Sequence, residues 1–247
     1  MKLHSFNIET FQEVGSTNLL MRDREQSGRL KHGDVLRAIF QNEGLGQSGN
    51  MWESETGKNL TFSMFLETNF IKAEDVFILN KIISLALWTY LNDRNVQELK
   101  IKWPNDIYVG ENKIAGILTQ NSFLGDEFEH SMVGIGININ QINFLSDAPN
   151  PTSLKKLLGL EFNLEVELDK ILSSIQYYFN RAWNGEYSFL NETYIKHLYG
   201  YGKMLHYKDK LSSFVGMIIG VDEYGRLLIE KENKRVYSYD MKEIIFL

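Results

Sequence analysis

Apolar and polar positions alternate with different periods along the chain. Ser16-Thr17-Asn18 stand before Leu19-Leu20-Met21 and a charged run ending near Gly28, which reads as hydroxyl and amide groups capping a short helix. Residues 35–40 then read as a strand, residues 41–57 as a polar, glycine-containing loop, and residues 60–66 as a strand with alternating faces. From 74 to 91, Val76, Leu79, Ile82, Ile83, Leu85, Leu87, Trp88 and Leu91 make most faces apolar, which predicts a buried core helix. Short β-like runs follow at 99–103, 107–109, 114–119 and 132–139, with Gly110-Glu111-Asn112 as a turn between the second and third.

Two amphipathic helical stretches come next, 152–158 and 166–183, with a continuation to about His197. Beyond Gly200 the texture changes to five short runs, 204–207, 214–221, 227–231, 236–239 and 244–247, with Asp222-Glu223-Tyr224-Gly225 as a turn. Five short strands in so few residues suggest a small barrel of SH3-like size. The chain has no internal repeat and no low-complexity linker. At about 150 residues per domain, 247 residues correspond to one domain or to one large and one small. The expected division is 1–195 and 196–247.

Composition narrows the function classes. A hydrophobic content of 43% with three prolines suits a globular core. The formal charge of −6, from 26 basic against 32 acidic residues, leaves no excess to neutralise a phosphate backbone, so no nucleic-acid partner is expected. With no cysteine there is no disulfide, thiolate nucleophile or Cys-ligated zinc, and a cytoplasmic location fits best. The first residues turn polar too early for a secretory signal, and the densest apolar stretch, 82–88, is far short of the ~18 residues of a membrane span. The expectation is a soluble protein with no membrane partner.

Gly44-Leu45-Gly46-Gln47-Ser48-Gly49 matches the G-x-G-x-x-G dinucleotide fingerprint, but that motif needs a helix opening at its third glycine, and here a strand follows. It remains a glycine loop whose amides can approach an anion or cover a ligand, or an ordinary strand-to-strand connection. Lys102-Trp103-Pro104-Asn105-Asp106 packs a cation, an indole, a rigid proline, a carboxamide and a carboxylate into a strand end. Asn105 can read an adenine or ureido edge, and Asp106 can hold a metal or orient a lysine, although Asn-Asp is also common turn chemistry. If Gly110 makes a hairpin, Lys113 returns beside this pentapeptide, where it can meet a phosphate or carboxylate as a point charge. Gly134-Ile135-Gly136-Ile137-Asn138 is a strand with missing side chains that leave room for a flat ligand. The five histidines lack zinc spacing, and neither a G-x-S-x-G elbow nor a Walker motif is present.

In this order and spacing, Ser-Thr-Asn, the glycine loop, K-W-P-N-D with K-x-A-G-I, and G-x-G-I-N before a small β unit resemble the biotin protein ligases, from about Val14 to the C-terminus. The K-W-P-N-D motif with its eight-residue step to Lys113 is the specific part. The resemblance implies an α+β fold: a mixed β-sheet catalytic domain resembling class II aminoacyl-tRNA synthetases, followed by an SH3-like barrel. The sequence leaves no room for the N-terminal DNA-binding domain of some members. The implied reaction attaches biotin to a lysine of a biotin carboxyl carrier protein through biotinyl-5′-adenylate, with ATP and Mg²⁺, by a monomer or homodimer.

By the same resemblance, Ser16, Thr17, Asn18 and Gln41 bind biotin's ureido ring, with Gly44, Leu45, Gly46 and Gln47 closing over it and Gly116, Gly134 and Gly136 making space for the bicycle. Lys113 lies between biotin's carboxylate and the α-phosphate, and Asp106 organises Lys113 or Mg²⁺. Trp52, Lys102, Asn105, Asp106, Lys113 and Asn138 face the nucleotide, and Trp52 and Trp103 wall the site. One departure stands out: the family loop commonly reads G-R-G-R-x-G, and this chain has Leu45 and Gln47 in place of the arginines. Two other readings remain: a lipoate or octanoate ligase or transferase of the same superfamily, and a non-catalytic module that senses biotin or adenylate.

Overall fold

The structure is a computed structural model and describes residues 1–145 and 150–247. The first half begins with β1 (Asn7–Val14), α1 (Thr17–Gln26), β2 (Asp34–Gln41), β3 (Leu60–Glu67) and α2 (Ile78–Asn92), followed by β4 (Leu99–Lys102), β5 (Asp106–Val109), β6 (Asn112–Leu124) and β7 (Glu127–Ile137). These seven strands form one mixed sheet in the order β1-β2-β3-β7-β6-β5-β4, antiparallel except for the β1–β2 pair. The helices α3 (Leu154–Leu158), α4 (Leu164–Trp183) and α5 (Tyr187–His197) then lead to β8 (Met204–Lys208), β9 (Ser213–Val221), β10 (Leu227–Lys231), β11 (Val236–Tyr239) and β12 (Ile245–Phe246).

Strand period places the site. All but the last residue of β3 are at least nine-tenths buried, because both faces of the sheet are covered. Leu60, Phe62, Met64 and Leu66 join Ile135 and Ile137 of β7 in the main core, which continues into α2 and α4. The alternate face meets α1, where Met21, Leu36, Phe65 and Met132 form a smaller core. The helix expected from residue 74 begins at Ile78, because Ala73–Asp75 form a 3-10 turn. Strand β1 has no counterpart in the sequence reading. It is a mostly exposed edge strand, so burial imposes no alternation on it.

The five C-terminal strands fall where the sequence places them and pair antiparallel in the order β11-β10-β9-β8-β12. No pairing joins β11 to β12, so this sheet is open and not the closed barrel expected. The 222–225 turn forms as expected, with the Gly225 N–H donating to the Asp222 carbonyl (3.1 Å) and Gly225 at φ +91°. Trp103 does not wall a site. Its Nε1 donates to the Gly225 carbonyl (2.7 Å), fastening the first sheet to the β9–β10 turn. Among the described residues no helix is long and apolar enough to cross a membrane.

Candidate functional site

Thr61 of β3, Gly136 of β7, Gly116 of β6, Asp106 of β5 and Lys102 of β4 are successive cross-strand neighbours. Two residues along, Ser63, Gly134 and Leu118 form a second row. The small side chains among them, Thr61, Ser63, Gly116, Gly134 and Gly136, leave a hollow between the sheet and the N-terminus of α1. Ser16, Thr17, Asn18 and Gln41 line one end of the hollow, Asn105, Asp106 and Lys113 the other, and Leu45, Gly46, Gln47 and Trp52 come from the glycine loop.

The first end is a polar network. Ser16 is the N-cap of α1 but makes no side-chain cap bond, contrary to the expected capping role. Gln41 does that work from the neighbouring strand, its Oε1 accepting the Thr17 amide N–H (2.7 Å). Thr17 Oγ1 and Ser63 Oγ share a hydrogen bond (2.7 Å), and Ser63 donates to Asn18 Oδ1 (2.7 Å). Ser16, Thr17, Asn18 and Ser63 are each at least nine-tenths buried, and Gln41 is half-buried. Ser63 was not a candidate from the sequence, and only the register that sets it opposite Gly134 could have found it. Thr61, Asn50 and Met51 also line the cavity and were missed.

The opposite end is charged. The turn at Gly110 (φ +57°) folds β5 onto β6 and brings Lys113 Nζ to 2.7 Å from Asp106 Oδ1. Burial pushes the Asp106 carboxyl up from its ordinary range, against the pull of Lys113 and Lys102. Asn105 lines the cavity while its Nδ2 donates to the Ile117 carbonyl (2.7 Å), so it also ties two strands together.

The glycine loop folds as a narrow hairpin. Trp52 N–H donates to the Gly44 carbonyl (2.9 Å) and Gly46 N–H to the Asn50 carbonyl (2.7 Å). A Cβ on Gly44 would lie 2.6 Å from the Trp52 carbonyl oxygen, so Gly44 serves the loop's own close approach. Trp52 lies on the glycine floor. A Cβ on Gly136 would fall 2.3 Å from its Cε2, and one on Gly116 3.2 Å from its Cζ3. Its Nε1 is buried without a hydrogen-bond partner. Lys113 Nζ sits 5.6 Å from the indole centroid.

Several expected site residues lie off the cavity. Gly44 is buried within the loop hairpin, paired with Trp52, and does not line the cavity. Lys102 Nζ rests over Tyr108 (4.4 Å), with Tyr199 and Phe246 beyond, and burial lowers its pKa. Asn138 donates through Nδ2 to the Thr152 carbonyl (2.9 Å). Gly134 does line the cavity, but it faces Asn18 and not open space: a Cβ there would lie 2.2 Å from Asn18 Nδ2. Among the described residues no group of three or more acidic or histidine side chains converges as metal ligands. Among the described residues that line the cavity Asp106 is the one carboxylate, and it is already ion-paired.

A model of the biotin/lipoate A/B protein ligase family matches residues 10–138. The bifunctional ligase/repressor BirA of Bacillus spizizenii is 24% identical over 239 residues, covering 94% of this chain and 73% of its own length. BirA of Escherichia coli is 31% identical over 138 residues, 56% of this chain and 42% of its own length. The chain thus spans between about two-fifths and three-quarters of these relatives. Among solved structures, biotin protein ligase from Aquifex aeolicus in complex with biotin and ATP superposes with a TM-score of 0.79 at 24% identity, covering 98% of each chain. At that identity the likeness establishes the shared fold.

Proposed function

The chain belongs to the biotin/lipoate A/B protein ligase family, and on that premise we propose that it attaches biotin to a lysine of a biotin carboxyl carrier protein. An oxygen of biotin's carboxylate attacks the α-phosphorus of ATP, forming the mixed anhydride biotinyl-5′-adenylate and expelling pyrophosphate. The carrier's lysine amine then attacks the acyl carbon, the amide forms, and AMP leaves. The reaction must bring two anions together and shelter the anhydride from water.

The observation that carries this reading is a cavity with a neutral hydrogen-bonding end and an end that holds the Lys113–Asp106 ion pair, joined by a floor of glycines. Ser16, Thr17, Asn18 and Gln41 offer donors and acceptors to a ureido ring. Lys113 holds the carboxylate against the α-phosphate, and Asp106 orients it. Gly46, Leu45, Gln47 and Trp52 cover the bound acid, and Asn105 meets the adenylate. Lys102, Asn138 and Gly44 support these groups from behind. Mg²⁺ enters as part of the nucleotide substrate and neutralises phosphate charge; among the described residues the cavity offers one carboxylate, Asp106, and no group of metal ligands. The C-terminal sheet makes the smaller unit.

The rival substrate is lipoate or octanoate. An aliphatic tail needs only apolar walls, and burying the Ser16 to Asn18 network against it would leave polar groups unpaired. The expected result is exchange of labelled pyrophosphate into ATP that requires biotin. Exchange supported by lipoate but not biotin would replace the substrate, and tight biotin binding without exchange would favour a sensor.

Gln47 leaves the loop without the arginine usual in the family. A charge-assisted hydrogen bond contributes about 1.5–3 kcal/mol, so Gln47→Arg should slow release of the adenylate by about tenfold or more. Unchanged leakage in a single-turnover assay would sink this account of the loop.

A further inference from the structure

Gln141 lies outside the cavity and is 1% exposed. Its Oε1 accepts the Glu55 amide N–H (2.9 Å) and a proton from Asn59 Nδ2 (2.5 Å). Its Nε2 donates to Glu53 Oε1 (3.1 Å) and to the Asn143 carbonyl (2.8 Å). Both acceptor sites and both protons of the carboxamide are therefore used. No charged or apolar side chain of this shape can make the same four bonds.

The bonds join two chain segments. Residues 53–59 root the hairpin that carries Trp52, and residues 138–145 leave β7 just beyond Gly136. Around Gln141 the two are laced together: Asn140 N–H donates to the Lys58 carbonyl (2.8 Å), Ile139 N–H to Asn59 Oδ1 (3.0 Å), and Leu145 N–H to the Glu53 carboxylate (2.9 Å). The second segment also reaches Lys113, since Asn138 Nδ2 holds the Thr152 carbonyl and Thr152 N–H donates to the Lys113 carbonyl (2.9 Å). Gln141 thus stands where the loop over the cavity is referenced to the strand beneath it.

We infer that Gln141 is a positioning residue that fixes how the Trp52 loop seats on the Gly116 and Gly136 floor, and thereby how long the acyl-adenylate is retained. The retention half of this inference rests on the adenylate-forming reading above. Gln141→Glu preserves shape and both accepted bonds but sets a carboxylate against Glu53 and the Asn143 carbonyl. The double variant Glu53→Gln with Gln141→Glu restores a donor facing an acceptor across the same gap.

Amide hydrogen exchange of the ligand-free protein and single-turnover release of biotinyl-adenylate test the inference together. In Gln141→Glu, amides of residues 44–58 should lose protection while those of β3 and β7 keep it. Adenylate release should rise about tenfold, the kinetic equivalent of a hydrogen bond or two. Pyrophosphate exchange should change far less, and the double variant should recover the part of both losses owed to Glu53, while the Asn143 carbonyl still faces a carboxylate. Wild-type protection and release in the single variant would overturn the inference. So would equal loss of protection across β3 and β7, or a double variant no better than the single. If the wild-type chain forms no adenylate, the functional reading fails there, and the amide-exchange pattern with its rescue still decides the seating of the loop.

Discussion

Lys113→Ala should abolish biotin-dependent exchange of pyrophosphate into ATP. Among the described residues the side chain is the one cation that both lines the cavity and touches its carboxylate, with Nζ 2.7 Å from Asp106 Oδ1. Removing one preorganised group from developing negative charge typically costs about 10²–10³ in rate, and here two anions must also be brought together. The loss should be larger in kcat than in the affinity for biotin, because the polar end of the cavity is untouched. Lys113→Arg should not restore exchange, since a planar fork does not replace a compact ammonium between two oxygens. Asp106 would lose its partner in the alanine variant, and its already raised pKa should climb further. Near-normal exchange in Lys113→Ala would refute the assignment.

The features legible in the sequence were those written into local spacing. Gly110 marks the turn that folds Lys113 back onto Asp106, and five short runs with a turn at 222–225 mark the C-terminal strands. The glycines of G-x-G-I-N announced a face without side chains, but not what lies on it. That depends on register: Gly134 is opposite Ser63 and beneath Asn18, and Gly136 is beneath Trp52. Ser63 was invisible for the same reason, as a serine in a strand carries no mark of the hydroxyl it meets across the sheet. Ser16 read as a helix cap because capping is the common use of serine before a helix. Only the pairing of β2 with its neighbours, which delivers Gln41 to the Thr17 amide, releases it for another role. Closure of the last sheet is likewise a non-local property, and strand count alone did not decide it.

A methyl group on Gly134 and one on Gly136 should separate the two ends of the site, because what each strikes differs. In Gly134→Ala the new Cβ lies 2.2 Å from Asn18 Nδ2, and Asn18 is buried and held through Ser63 to Thr17. Nothing in that chain can move without breaking a hydrogen bond, so overpacking should cost about 1–3 kcal/mol of stability. Biotin affinity should fall by about tenfold to a hundredfold, the equivalent of one or two misplaced hydrogen bonds. In Gly136→Ala the Cβ lies 2.3 Å from Trp52 Cε2 and 2.7 Å from its Nε1. That indole stands on a hairpin loop and its Nε1 has no partner, so it can leave the floor and gain a hydrogen bond to water. The melting temperature should therefore change little, Trp52 emission should shift to the red, and adenylate should leak while ureido recognition persists. Calorimetric titration of biotin, thermal melts and emission spectra of the two variants check this division. Equal loss of biotin affinity in both, or an unshifted Trp52 spectrum in Gly136→Ala, would show that the two glycines serve one common packing role instead.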